Sequence, residues 1–285
     1  MFKVMKYALA AGLISFSAAA AQETKEDPGR KQRADQKYEE LFASRRSVSP
    51  TDPELMEILQ RFIFGEVFYV GKLEDKTREL ITVVLLTTIQ TLPQLKSHIR
   101  AALNAGNTPV EIREAIYQCA PYIGFPRTLN AVAVFNEVMA ERGIALPLEN
   151  QAAVTEENRY EKGWEIQRAL YGDEVKKAMR TLPPEYKDTI PDILTSFGFG
   201  DFYTRGGLTL QQRELLSFAA LTALGAEKQL KAHVVGNLKA GNDKGTLLAA
   251  MVQALPYVGF PNALTAINLI RETDAENYQP IYENN

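Results

Sequence analysis

Between Arg78 and Ile89 the apolar positions Leu80, Ile81, Val84 and Leu85, together with Thr88, recur at the 3.6-residue spacing of a helix that turns one face inward. Leu95, Ile99, Ala102 and Leu103 continue that period in a second helix, which Gly106 stops at its C-terminal end. A third helix opens at Thr108-Pro109-Val110-Glu111, where a capping threonine, a first-turn proline and a glutamate three residues after the cap coincide. It must bend or end near Pro121, because proline lacks the N–H that a helix interior needs. A fourth helix runs from Pro126 to about Arg142. No alternating run with hairpin punctuation interrupts these periods, so the predicted class is all-α.

The same pattern occurs twice. At an offset of 135 residues Arg78-Glu79-Leu80 falls on Arg213-Glu214-Leu215, Lys96 and His98 on Lys231 and His233, and Ala105-Gly106-Asn107 on Ala240-Gly241-Asn242. Pro121-Tyr122 and Gly124-Phe125-Pro126 fall on Pro256-Tyr257 and Gly259-Phe260-Pro261, and Asp243 takes the capping place of Thr108. Upstream, Tyr38-Glu39 resembles Tyr160-Glu161 at a shorter offset of 122, which implies an insertion in the second copy around Glu174 to Asp188. The expected organisation is a first domain over 37–147, a linker over 148–157 and a second domain over 158–285.

Residues 1–36 follow neither copy. Lys3 and Lys6 precede an apolar or small-residue run ending in Ala19-Ala20-Ala21 before Gln22, the pattern of a cleavable secretory signal over 1–21. The run of about 15 residues is shorter than the roughly 20 of a membrane span. Residues 22–36 read as a charged tether, and the mature protein is expected in the periplasm or outside the cell, with no membrane partner after cleavage. A net charge of −3 and the lack of a basic tract argue against nucleic acid. A single cysteine, Cys119, allows no internal disulfide, and its apolar neighbours predict a buried thiol.

The chain contains two histidines, His98 and His233, and the repeat makes them equivalent. Each follows a glutamate, Glu79 or Glu214, by 19 residues. Along one helix that gap is nearly 30 Å at about 1.5 Å per residue. Across a helical hairpin, turned at Pro93 in the first copy and at Gly225 in the second, the side chains can face each other. A carboxylate beside an imidazole orients the ring for acid or base work near neutral pH. A core histidine and a glutamate that merely complements a helix N-terminus are the alternative. Arg78 and Arg213 adjoin the glutamates and are candidates for gripping an anionic substrate, against a solvated helix surface. Tyr122 and Tyr257, in the corner motifs, are candidates for donating a phenol to a ligand, against simple packing.

At Arg78-Glu79-Leu80, Leu95-Lys96-Ser97-His98, Ala105-Gly106 with Thr108 to Glu114, and Tyr122-Ile123-Gly124-Phe125-Pro126, the chain resembles the carboxymuconolactone decarboxylase family, and it does so again in the second copy. The resemblance implies two tandem helical domains, also similar to those of the alkyl hydroperoxide reductase partner. To the catalytic candidates Glu79, His98, Glu214 and His233 and the substrate-contact candidates Arg78, Tyr122, Arg213 and Tyr257, read from the repeat itself, the resemblance adds an activity. It further implies a decarboxylase or lyase that needs no cofactor or metal and acts on a small anionic, carboxylated or lactone-like molecule. A homo-oligomer, such as a trimer of these two-domain chains, would reproduce six domains. The family's disulfide-cycling branch carries C-x-x-C-x-x-x-H, but Thr91 and Gln94, and Ala226 and Gln229, occupy those cysteine positions. Without thiolates, peroxidase or disulfide-reductase chemistry is disfavoured. A binding or structural module that keeps the fold without catalysis is the rival reading.

Overall fold

The computed structural model describes residues 29–45 and 49–281, so the expected leader over 1–21 lies outside it. All regular elements among the described residues are helical. The first copy comprises α1 (Arg30–Phe42), α2 (Pro53–Gly65), α3 (Asp75–Ile89), α4 (Leu92–Asn104), α5 (Pro109–Gln118), α6 (Ala120–Ile123) and α7 (Phe125–Glu141). The second comprises α8 (Arg159–Tyr171), the short α9 (Glu174–Met179), α10 (Pro184–Lys187) and α11 (Thr189–Ile193), a π-helix over Leu194–Tyr203, then α12 (Leu210–Leu224), α13 (Glu227–Ala240) and α14 (Lys244–Glu272). By length and composition α14 is apolar enough to cross a membrane. Here Gly259, at φ +75°, breaks its helical backbone, and Ala250, Ala254, Ala263 and Ala266 are buried in the protein core.

The capping signals form as the residue types dictate. Thr108 Oγ1 accepts from the Glu111 N–H at 3.1 Å while a Glu111 carboxylate oxygen accepts from the Thr108 N–H at 2.7 Å. Asp243 caps α14 by accepting from the Thr246 N–H at 2.6 Å.

One expectation changes in kind. The period in α3 predicts a single inward face, yet every residue from Arg78 to Thr88 is buried, as is every residue from Arg213 to Thr222 in α12. The cause is the second copy itself. α3 and α12 pack on each other at the centre of the molecule, and Leu80, Val84 and Leu85 share one core with Leu215, Phe218 and Leu221. The polar residues inside these buried helices bond back along their own helix: Thr82 to Arg78 O at 3.0 Å, Thr88 to Val84 O at 2.8 Å and Thr222 to Phe218 O at 2.8 Å.

The upstream register also needs correction. Gly65 meets the Arg30 carbonyl and the Ala34 side chain, whereas Gly200 meets the Arg159 carbonyl and Gly163 meets Gly200. Arg30 therefore corresponds to Arg159 and Ala34 to Gly163, an offset of 129 rather than 122. Asn104 donating to Leu41 O and Lys239 donating to Leu170 O, at 2.7 and 2.8 Å, repeat the same register. The tyrosine match misled because Tyr38 aligns with Gln167. The expected tether is likewise shorter than 22–36, since Arg30–Gln36 form the start of α1, held by the buried Ala34 and an Arg30–Glu66 ion pair at 2.5 Å.

Candidate active site

Each glutamate sits in the first half of a central helix, and each histidine sits on the next helix of the hairpin. The hairpin turns on a left-handed residue, Gln90 (φ +61°) in the first copy and Gly225 (φ +64°) in the second. Pro93, the expected turn, instead lies in the first turn of α4, where its missing N–H costs nothing. The turn brings His98 Nδ1 to 2.8 Å from Glu79 Oε2, and His233 Nδ1 to 3.1 Å from Glu214 Oε2. Both carboxylates are fully buried.

The corner tyrosines act across the repeat. Tyr257 of the second copy lies edge-on to His98, ring centres 5.6 Å apart, and Tyr122 of the first copy lies edge-on to His233 at 5.8 Å. The corner motif thus serves the other copy's histidine, a placement that sequence spacing does not contain.

The two sites then diverge. In the second, Tyr171 donates to Glu214 Oε2 at 2.5 Å and lies 2.8 Å from His233 Nδ1. Tyr203 donates to Glu214 Oε1 at 2.7 Å and lies 2.9 Å from the Tyr122 hydroxyl and 3.0 Å from Ser217 Oγ. Burial first, and the neighbouring Glu214 charge second, push the phenols of Tyr122, Tyr171 and Tyr203 upward, so all three remain protonated donors. With Nδ1 engaged by Glu214 and Tyr171, Nε2 is the ring nitrogen left for chemistry. In the first copy Phe42 stands where Tyr171 does and packs edge-on to His98 at 5.6 Å. Phe68 stands where Tyr203 does. Glu79 Oε1 and the Tyr257 hydroxyl, both buried, accordingly find no protein partner.

Gly236 makes room for the second arrangement. A Cβ there would lie 2.3 Å from the Tyr171 hydroxyl and 2.6 Å from Glu214 Oε2. The first copy, with a phenylalanine in place of that tyrosine, carries Ala101 at the equivalent position. Gly236→Ala should therefore cost about 1–3 kcal/mol in urea unfolding, as overpacking does. Adding Tyr171→Phe should recover most of that loss by recreating the first copy's pair; an unchanged loss in the double variant would show that the hydroxyl is not the obstacle.

His233, Tyr122, Tyr171 and Tyr203 line a cavity of about 500 Å³ whose walls are mainly apolar, among them Phe199 and Val235. Glu174 and Val175, from the longer connection in the second copy, add to it.

The arginines do not take part. Arg78 is buried and donates to the carbonyls of Leu73, Val70 and Gly71 at 3.0, 2.8 and 3.2 Å. Arg213 donates to Arg205 O and Gly206 O at 2.8 Å each and to Gln118 Oε1 at 2.9 Å. Both substrate-binding expectations, and the solvated-surface alternative, are corrected: these guanidiniums organise the loop ahead of each central helix. Lys96 pairs with Glu137 and Glu141 away from the site. Cys119 is buried, and burial raises its thiol pKa to about 12, which leaves it unreactive at neutral pH. Among the described residues no cluster of three or more His, Cys, Asp or Glu side chains has the make-up of a metal site.

A family model described as the carboxymuconolactone decarboxylase family matches residues 53–137 and 189–272, once per copy. The chain belongs to the carboxymuconolactone decarboxylase family. The 4-carboxymuconolactone decarboxylase of Acinetobacter baylyi is 34% identical over 92 residues, which are 32% of this chain and 69% of that protein. The nitrosuccinic acid decarboxylase of Metarhizium robertsii is 33% identical over 89 residues, 31% of this chain and 62% of that one. A crystal structure from Burkholderia xenovorans, of a protein described as a gamma-carboxymuconolactone decarboxylase subunit, superposes with a TM-score of 0.51 at 21% identity, covering 85% of this chain and 96% of that one. At that identity the likeness concerns the fold. The relatives match about a third of this chain each, consistent with a family domain that occurs here twice.

Proposed function

We propose that this chain decarboxylates a small carboxylated or lactone-like molecule by acid–base chemistry at the second-copy site, without a bound cofactor. One observation carries the reading: His233 is fixed through Nδ1 by Glu214 and Tyr171 while its ring borders a cavity of about 500 Å³. The substrate's C–CO₂⁻ bond breaks, its electron pair moves into an adjacent carbonyl to give an enolate, and CO₂ departs. His233 Nε2–H then delivers a proton to the enolate carbon, and a water proton restores the ring. The net change is loss of CO₂ and gain of one proton. Glu214 holds the ring through Nδ1 as Nε2 gives up and regains its proton, and the buried phenols supply donors to that carboxylate in a setting where each bond counts for more than in water. Two relatives named as decarboxylases support the reaction class.

The first copy fits the rival role, a fold-keeping site. Its histidine is covered by Phe42, and its carboxylate lacks the phenol donors. The test is CO₂ release by the full chain from a panel of small carboxylated lactones and acids that includes 4-carboxymuconolactone. No CO₂ release from any of them would refute the enzymatic reading, and an activity kept in full by the His98→Gln, His233→Gln double variant would refute acid–base chemistry at the histidines.

A further inference from the structure

The cavity beside His233 contains a cation that the mechanism above does not use. Lys239 lines it and gives one of its three N–H donors to the Leu170 carbonyl at 2.8 Å, the C-terminal end of α8. It forms no ion pair among the described residues. Glu174, a carboxylate in the same wall, is taken by Lys177 at 2.9 Å. A half-buried ammonium facing apolar walls, with two donors free and no counter-charge, is an unfilled demand for an anion.

The first copy provides the internal comparison. Asn104 occupies the equivalent position and makes the equivalent bond, to Leu41 O at 2.7 Å. The structural task of tying down the end of the preceding helix is therefore met without charge. The lysine adds a positive group, and it does so in the copy that also has Tyr171, Tyr203 and Gly236. Lys239 follows His233 by six residues on α13. At about 1.5 Å per residue the two are roughly 9 Å apart along the helix axis, a separation that a flexible lysine and a substrate of about six carbons can bridge.

We infer that Lys239 is the specificity residue of the second-copy cavity, anchoring a carboxylate that the substrate keeps while the reacting end lies at His233. The inference rests on the reading that this cavity takes a small acid. The anchored group is the retained one because an ion pair that stabilises the departing carboxylate in the ground state would raise the barrier to losing CO₂. The cavity thus selects molecules with a second acidic group remote from the scissile bond.

Calorimetric titration of the full chain with adipate and with its neutral isostere adipamide tests this directly. Wild type should favour adipate by about tenfold or more, the range of a hydrogen bond to a charged group. Lys239→Asn, which installs the first copy's residue and keeps the Leu170 tie, should abolish the preference while leaving adipamide affinity unchanged. Lys239→Arg should retain it. A preference that survives Lys239→Asn, or no preference in wild type, overturns the anchor. His233→Gln is the separating control: adipate selectivity kept while CO₂ release is lost supports both readings. Turnover that depends on the histidine without adipate selectivity removes Lys239 alone.

Discussion

His233→Gln should lower CO₂ release by two to four orders of magnitude, the usual contribution of a positioned general acid, whereas His98→Gln should leave most of it. The repeat makes these residues look interchangeable, but their surroundings do not. His233 has a glutamate partner whose two oxygens each receive a phenol, with Tyr171 at 2.5 Å and Tyr203 at 2.7 Å. A carboxylate so held stays aligned as the neighbouring ring gains and loses a proton. Glu79 bonds His98 through Oε2, while its Oε1 is buried with no protein partner, because Phe42 and Phe68 replace the tyrosines. The two copies also differ at the cavity wall, where Val235 and Lys239 stand for Arg100 and Asn104. Kinetics on the single variants, with urea unfolding to confirm that each is folded, decide the matter. Equal losses from both histidines would mean that the phenols are irrelevant and the sites equivalent.

Much of this is legible in the amino-acid sequence. The 135-residue repeat, the capping box at Thr108 and the 19-residue Glu–His spacing are local or periodic facts, and local rules were enough to place helices and pair side chains across a hairpin. What stayed hidden depends on packing between copies. Tyr122 and Tyr257 were candidates, but sequence spacing does not say that each serves the opposite histidine, because that follows from α3 lying on α12. Tyr171 is hidden for a nameable reason: the tyrosine match suggests an offset of 122, whereas the register of 129, set by backbone contacts at Gly65 and Gly200, puts Tyr171 opposite Phe42. Tyr203 against Phe68 and Lys239 against Asn104 were visible in the repeat as differences. A repeat is recognised by its matches, whereas these positions are where the two sites differ.

Arg213→Met should destabilise the protein by about 3–5 kcal/mol, the range for removing one partner from a buried charge network, where a substrate-binding arginine would leave stability unchanged and weaken only binding. Glu114 is fully buried and meets Arg113 at 3.2 Å, Arg205 at 2.8 Å and Arg213 at 3.5 Å. Arg213 also satisfies the carbonyls of Arg205 and Gly206 and holds Gln118, which in turn donates to Ser217 Oγ at 3.2 Å. A methionine of similar length fills the space but leaves those carbonyls and Gln118 Oε1 without donors inside the protein. Arg78→Met should cost less, because Arg78 has no buried carboxylate to neutralise: Ala249 stands where Glu114 does in the other half. For a chain of this size each kcal/mol lowers Tm by roughly 2–4 °C, so calorimetry separates the two variants readily. An Arg213→Met protein that melts with wild type would return the guanidinium to the list of ligand contacts. The expected result instead makes Arg213 the clasp through which the first copy's α5 holds the second copy's central helix, and with it Glu214, one residue further along.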